Sequence, residues 1–204
     1  MNTYDDLPYR ETILESDGVR GLLSDVERRL CPDGILVLSI DGDSAAGKST
    51  LASALANHFH GNVIHMDDFF LPEELRTTER LSEPGGNVHY ERFLKEILPE
   101  LRKPGAFAYR VFDCSVMDYG PERIVGSGPL RIVEGAYSLH PVFGRYYDLS
   151  IFLAADTQTQ LERVRARNGT EIAERFLHRW IPMEKRYQAA FSIPAQADVL
   201  LRIP

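Results

Sequence analysis

The chain has 204 residues, 44% of them hydrophobic, enough to bury one substantial core. Its 23 Lys and Arg against 30 Asp and Glu give a formal charge of −7. That balance excludes a non-specific nucleic-acid binder, because counterion release needs a basic surface.

No stretch approaches the ~20 consecutive apolar residues of a membrane span. The start, Met1 to Asp6, is acidic and polar, unlike a secretory signal or an arginine-rich transit peptide. Two cysteines, Cys31 and Cys114, lack metal-ligand spacing and read as ordinary packing residues. Together these features predict a reduced, cytoplasmic setting.

Residues 1–34 read as a lead-in plus a helix. Val19, Leu22, Leu23, Val26 and Leu30 recur at helical spacing, and Cys31-Pro32-Asp33-Gly34 ends the run as a turn. Ile35-Leu36-Val37-Leu38-Ser39-Ile40 then reads as a buried strand. Gly42-Asp43-Ser44-Ala45-Ala46-Gly47-Lys48-Ser49 follows it, with Thr50 next and a helix after that, on which Leu51, Ala52, Leu55 and Ala56 share a face. A glycine, four spacers and Gly-Lys-Ser between a strand and a helix is the pattern of a phosphate-cradling P-loop. Glycines let successive N–H groups turn inward as an anion nest, and the helix points its positive end at the same spot. Lys48 adds a mobile charge for terminal phosphates, and the Ser49 hydroxyl suits a magnesium ion.

The next apolar run, Val63 to Met66, ends in Asp67-Asp68-Phe69-Phe70. A carboxylate at the C-terminal end of a parallel strand lies on the edge where open α/β sheets bind ligands. Taken alone, paired aspartates after a strand also serve turns and helix caps. Leu71 to Val88 is polar, with Pro72, Pro84, Gly85 and Gly86, and reads as a mobile excursion with no core of its own. Tyr90 to Leu101 is helical with a break near Pro99, and Phe107 to Asp113 is strand-like. Gly120-Pro121-Glu122-Arg123 is expected to turn the chain into a short return strand, Arg123 to Val125. These pieces predict a lobe inserted between strands of the main sheet.

Leu130 to Glu134 is the next core strand, and Glu134 at its end is a candidate on the magnesium side, against the plainer role of a solvated strand-end acid. A further strand, Leu149 to Leu153, precedes a helix carrying Arg163 and Arg167 on one face. Helical arginines are commonly solvated; beside a P-loop they can close over phosphates and spread transition-state charge. A second helix runs from about Glu171 through Trp180, is interrupted at Pro182 and resumes at Met183; Trp180 reads as a core anchor. Ala197 to Leu201 closes the chain as a last strand. His58, His60 and His65 form no metal-spaced cluster and read as structural.

In this order the P-loop, Asp67-Asp68-Phe69-Phe70, inserted lobe, Ile132-Val133-Glu134-Gly135, arginine helix and Arg179-Trp180-Ile181-Pro182-Met183-Glu184 resemble the uridine kinase and phosphoribulokinase superfamily. His65 to Phe70 and Trp180 to Met183 are also similar to nicotinamide riboside kinase. The likeness runs from about Ile35 to Leu201. It implies an α/β fold of the P-loop NTPase type, three-layered α/β/α, with a mainly parallel five-stranded core sheet and the P-loop strand central. One domain would span 1–204, with a helical lead-in over 1–34, an acceptor-binding lobe over about 71–128, and an arginine lid with its following helix over about 157–190. It further implies ATP and Mg2+ as cofactors, Asp67 as the base for an acceptor hydroxyl, Lys48 with lid residues Arg163 and Arg167 on the phosphates, and Ser49 and Glu134 about the metal.

On the acceptor side the resemblance points to Asp67, His89, Arg110 and Asp113. The family's Asn-Phe-Asp-His-Pro stretch appears as Asn87-Val88-His89-Tyr90-Glu91, and Met117 stands where uridine kinases carry a histidine. Losing two polar anchors predicts a changed acceptor, because specificity for polar groups rests on satisfied hydrogen bonds. The expected activity is phosphoryl transfer to a small hydroxyl compound: uridine or cytidine first, then nicotinamide riboside, pantothenate, sugar or glycerate types. The expected partner is that small molecule, with no nucleic acid and no membrane; self-association into a homo-oligomer is compatible with the sequence. The rival from another class is a nucleotide-gated regulatory ATPase.

Overall fold

The strand β1 (Leu36–Gly42) meets different surroundings on its two faces. Leu36, Leu38 and Ile40 pack into one buried cluster with Val26 of α1 (Asp17–Arg29) and with Leu51 and Leu55 of α2 (Lys48–Phe59). Val37, on the other face, joins a second cluster that includes Phe93 and Tyr187. Its face-mates Ser39 and Asp41 are polar yet buried, and Ser39 is satisfied by the hydroxyls of Ser138 and Tyr146 at 3.1 Å each. Enclosure on both faces is what a parallel sheet between two helical layers requires.

A computed structural model of the chain describes residues 17–32 and 34–202. The acidic start Met1 to Asp6 and Asp33 of the expected turn lie outside the described residues. The main sheet adds β2 (Asn62–His65), β5 (Leu130–Glu134), β6 (Leu149–Leu153) and β7 (Val199–Leu201) to β1, in the order β2-β5-β1-β6-β7. All four pairings are parallel, so the expected five-stranded sheet with the P-loop strand central is what forms. The register sets both Ile40 and His65 opposite Glu134, which brings the C-terminal strand ends to one edge.

Two sequence expectations for the middle of the chain are corrected. The strands β3 (Phe107–Asp113) and β4 (Asp118–Val125) form a separate antiparallel hairpin, and the chain reverses at 114–117 instead of at Gly120–Arg123. Met117 takes a left-handed φ of 56° there. Gly120 and Pro121 lie inside β4, beside a register shift between Arg110 and Phe112, and a bulge is where a strand tolerates a residue without an N–H. The second correction is the Leu71–Val88 segment, which is fastened to the core. Leu71 and Val88 are both 1% exposed, and Phe70 bridges Val88. Arg80, in the short helix α3 (Thr78–Ser82), donates to the carbonyls of Gly86 and Val88 at 2.9 Å each and lies over the Tyr90 ring. One long side chain thus satisfies the turn carbonyls that a polar loop leaves behind.

The helix α4 (Tyr90–Glu96) ends before Pro99, and Phe93, Ile97 and Leu101 of this stretch are buried. After β6 come α5 (Thr157–Asn168), α6 (Thr170–Arg175), a π turn over Phe176–Trp180, α7 (Ile181–Phe191) and α8 (Ile193–Gln196). Helical backbone runs without a gap from Thr170 to Phe191, and the interruption expected at Pro182 takes the form of the π turn just before it. Pro182 has no N–H to give to the preceding turn, and the looser π hydrogen bonding there accommodates it. Trp180 is half-buried with Arg179 stacked 4.8 Å from its ring, so the anchors of this region are Ile181 and Tyr187. No described helix is long and apolar enough to cross a membrane.

Candidate active site

The phosphate-loop candidate begins where β1 runs against β6. Gly42 has φ 145°, and a Cβ at this position would overlap the Leu153 carbonyl oxygen, so only glycine fits. Ala45 (φ 56°) and Gly47 (φ 99°) also take positive φ, and no side chain caps the N-terminus of α2. First-turn N–H groups without a side-chain cap, at the positive end of a helix, form an anion site. Lys48 Nζ donates back across the loop to the carbonyls of Gly42 (3.0 Å) and Asp43 (2.9 Å). Ser49 and Thr50 complete the first turn of α2.

Beside the loop, the Ser49 hydroxyl lies 3.2 and 3.1 Å from the two oxygens of Glu134, which is 4% exposed. His65 Nδ1 closes on Glu134 Oε1 from the neighbouring strand. Burial pulls the His65 pKa down, but the hydrogen bond to Glu134 and its charge outweigh it and leave the imidazole above its ordinary value. The sequence reading took His65 as structural. In the fold it positions an acid, and the signal was available as a histidine ending a strand immediately before the two aspartates.

Asp67 opens the 3-10 turn Met66–Phe69 that follows β2. It is reachable by solvent yet recessed among protein atoms. Desolvation holds its carboxyl above the usual range, Glu134 adds to the shift, and Lys48 and His65 oppose it. Glu134 and Lys48 thus both act on the Asp67 carboxyl. Asp68 turns the other way: its carboxylate accepts from the Tyr109 hydroxyl at 2.7 Å and pairs with Arg123 at 2.8 Å, tying the turn to the hairpin.

The expected acceptor-side residues are dispersed. His89 caps α4, its Nδ1 accepting from Arg92 N at 3.4 Å, while its own N–H donates to Phe69 O at 2.7 Å. It therefore sits beside the Asp67 turn in a structural post. Asp113 accepts from the Ser115 amide and hydroxyl and shapes the hairpin tip. The next residue, Cys114, is exposed, and its thiol lies near Arg76 and within the field of Asp67. Arg110 stands apart. It donates to the Tyr119 and Gly120 carbonyls in an open groove of about 550 Å³ whose lining includes no residue of the phosphate loop or the Asp67 turn.

The two lid arginines also part company. Arg163 donates to the Ala45 carbonyl at 3.2 Å and reaches the loop, whereas Arg167 bonds Asn168 at the end of α5. Asp43, expected on the nucleotide, turns its side chain inward to Ala155 N (2.9 Å), Lys185 (2.6 Å) and Gln188 (3.0 Å).

Sequence reasoning missed the loop's underpinning. Asp41 accepts from Gly42 N, Tyr137 N, Leu139 N and the Tyr187 hydroxyl, at 2.6 to 3.2 Å. It joins β1, the turn after β5 and α7 at one carboxylate, which desolvation holds above its ordinary pKa. The signal was one acid closing an otherwise apolar strand. Gln160 and Glu184 grip Ser44 from α5 and α7, and nothing local in the sequence pairs them.

Among the described residues no group of three or more His, Cys, Asp or Glu is arranged to hold a metal by itself. Ser49 and Glu134 offer oxygen donors only. That suits magnesium, which keeps waters and takes one or two protein ligands together with substrate phosphates.

Comparison with solved structures finds the same fold. The chain is similar to a structure described as a possible uridine kinase from Bacillus stearothermophilus, with TM-score 0.68 and 20% identity over 91% of this chain and 97% of that one. It is also similar to a candidate fructose transport system kinase from Silicibacter sp. TM1040, with TM-score 0.63 and 23% identity over 89% and 97%. At these identities the likeness shows a shared fold. No family model and no curated protein matches the chain.

Proposed function

We propose that the chain is an ATP- and Mg2+-dependent kinase that transfers the terminal phosphoryl group to the hydroxyl of a small molecule. The observation that carries this reading is that Asp67 follows β2, two strands across from β1 at the same sheet edge as the phosphate loop, with Lys48 and Glu134 both acting on its carboxyl. A nucleotide-gated switch needs no pocket for an acceptor alcohol, whereas the inserted lobe beside Asp67 offers a place for one.

In this reading Lys48 leaves the Gly42 and Asp43 carbonyls for the phosphate oxygens, and the α2 amides hold the remaining charge. Ser49 and Glu134, steadied by His65, are the residues that would hold magnesium, which when bound neutralises phosphate charge. Asp67 accepts the hydroxyl proton as the oxygen attacks, and its raised pKa makes it a better base than an aspartate in its ordinary range. Arg163 approaches from α5 to spread charge over the transferring group. Catalysis of this kind is alignment and charge neutralisation more than covalent chemistry.

Uridine and cytidine remain the first acceptors to try, followed by the nicotinamide riboside, pantothenate, sugar and glycerate classes. His89 is committed to capping α4, and Met117 lies in the hairpin turn. Both observations favour an acceptor held differently from a nucleoside ribose. The test is an ADP-release screen with Mg-ATP against these classes. Release that depends on one added hydroxyl compound supports the kinase. Release indifferent to all of them but stimulated by a protein supports the regulatory ATPase.

A further inference from the structure

Ser44, third residue of the loop, is gripped from the far end of the chain. Glu184, in the first turn of α7, accepts the Ser44 amide at 3.0 Å and also meets the Ser44 hydroxyl. Around this contact Lys185 and Gln188 donate to Asp43, and Gln160 of α5 donates to the Ser44 carbonyl at 3.1 Å. Glu184 is 6% exposed, so little water supports its charge. Lys48 pulls on it from the loop, Asp41 repels it from the end of β1, and the Tyr137 hydroxyl lies within its field from the turn after β5. Lys185, on its own helix, is engaged by Asp43.

A carboxylate here competes with phosphate, because both are anions addressed to the same loop and the same ammonium. A triphosphate in the nest draws Lys48 onto its own oxygens and sets several negative charges beside a desolvated carboxylate. In a low-dielectric site that repulsion is large. Protonation removes it without breaking the contact. The neutral acid keeps one oxygen to accept the Ser44 N–H, and its new O–H donates to the Ser44 hydroxyl, which can donate or accept.

We propose that Glu184 is a proton-linked partner of the nucleotide, taking one proton from solvent as the triphosphate enters the loop. The proposal rests on the nucleotide reading of the loop. It goes further by making α7, remote from the motif in sequence, a sensor of phosphate charge. Burial already holds Glu184 above the usual carboxylate range, with Lys48 opposing. Loss of Lys48 to the phosphates moves it further in the same direction.

The test is calorimetric titration of the full chain with Mg-ATP, without acceptor, in buffers of different ionisation enthalpy between pH 5.5 and 8.5. Wild type should show heat that varies with the buffer as proton uptake requires. Its ATP affinity should fall by up to about tenfold per pH unit inside the uptake window, the limit for one linked proton. Glu184→Gln keeps the side-chain shape and should bind ATP without that component; the difference from wild type separates Glu184 from Asp67 and His65. Ser44→Ala removes one hydrogen bond to the charged form and should move the window to higher pH, a shift that a purely structural contact does not produce. ATP binding with the same uptake in wild type and Glu184→Gln, or with none in wild type, overturns the proposal alone. No ATP binding by wild type overturns the nucleotide reading and the proposal with it.

Discussion

The phosphate end and the hairpin end of the molecule are built on different principles. The loop from Gly42 to Ser49 is contiguous: the function proposed for it rests on backbone N–H groups, positive-φ residues and one lysine, all close together in the chain. The surroundings of Asp67 are assembled from segments far apart in sequence, with Asp67 after β2 and Cys114 of the hairpin turn, beside Arg76, within its field. A contiguous backbone device is fixed by covalent geometry, whereas a composite one depends on tertiary packing. Substitutions should therefore act locally and severely in the loop, and in a graded manner on the opposite side.

The severest test of that contrast is Gly42→Ala. A methyl group against the Leu153 carbonyl forces β1 and β6 apart, so stability should fall by about 3 kcal/mol or more and ATP binding should be lost together with it. Chemical denaturation and ATP titration check both. Next comes Glu134→Gln, which removes a charge beside Ser49 and His65. It should raise the magnesium concentration needed for half-maximal activity by roughly 10- to 100-fold, with a smaller change in ATP affinity.

Asp67 gives a pH prediction of intermediate size. Its folded-state pKa lies above the unfolded value, so the proton favours the folded chain, and its contribution to stability declines as pH rises through the window between the two values. Asp67→Asn should therefore melt a few degrees higher than wild type at pH 8 and lose that advantage near pH 4. Solvent contact keeps the gain modest. Wild-type turnover, which needs the ionised form, should fall as the medium is acidified, at a pH above the usual carboxylate range. The smallest effect belongs to Arg110→Ala, in its groove away from the loop: kcat/KM within about twofold and stability within about 0.5 kcal/mol. A large loss there would relocate the acceptor site.

Much of this was legible in the sequence where local rules govern. The strand, loop and helix around Gly42–Ser49 follow from periodicity and spacing, and the parallel five-stranded sheet with the P-loop strand central matches the resemblance. The hairpin turn was misplaced because Gly120-Pro121 is also a strong turn signal, and only pairing with β3 makes it a bulge. His89 and Asp113 were assigned by position in a motif, while their side chains are taken up by a helix cap and a turn. Glu184 and Asp41 were illegible in their partners, for a different reason. Their chemistry lies in partners between one and 146 residues away, and a single chain read end to end does not display which polar groups will share a buried space.

The central claim is that one carboxylate faces an alcohol across a phosphate loop that works without it. The most direct measurement is Asp67→Asn assayed twice, for Mg-ATP affinity and for acceptor-dependent ADP release. ATP affinity within about twofold of wild type, with turnover lower by roughly 10²- to 10⁴-fold, is the predicted result. Turnover within about tenfold of wild type would contradict it and remove Asp67 from the chemistry.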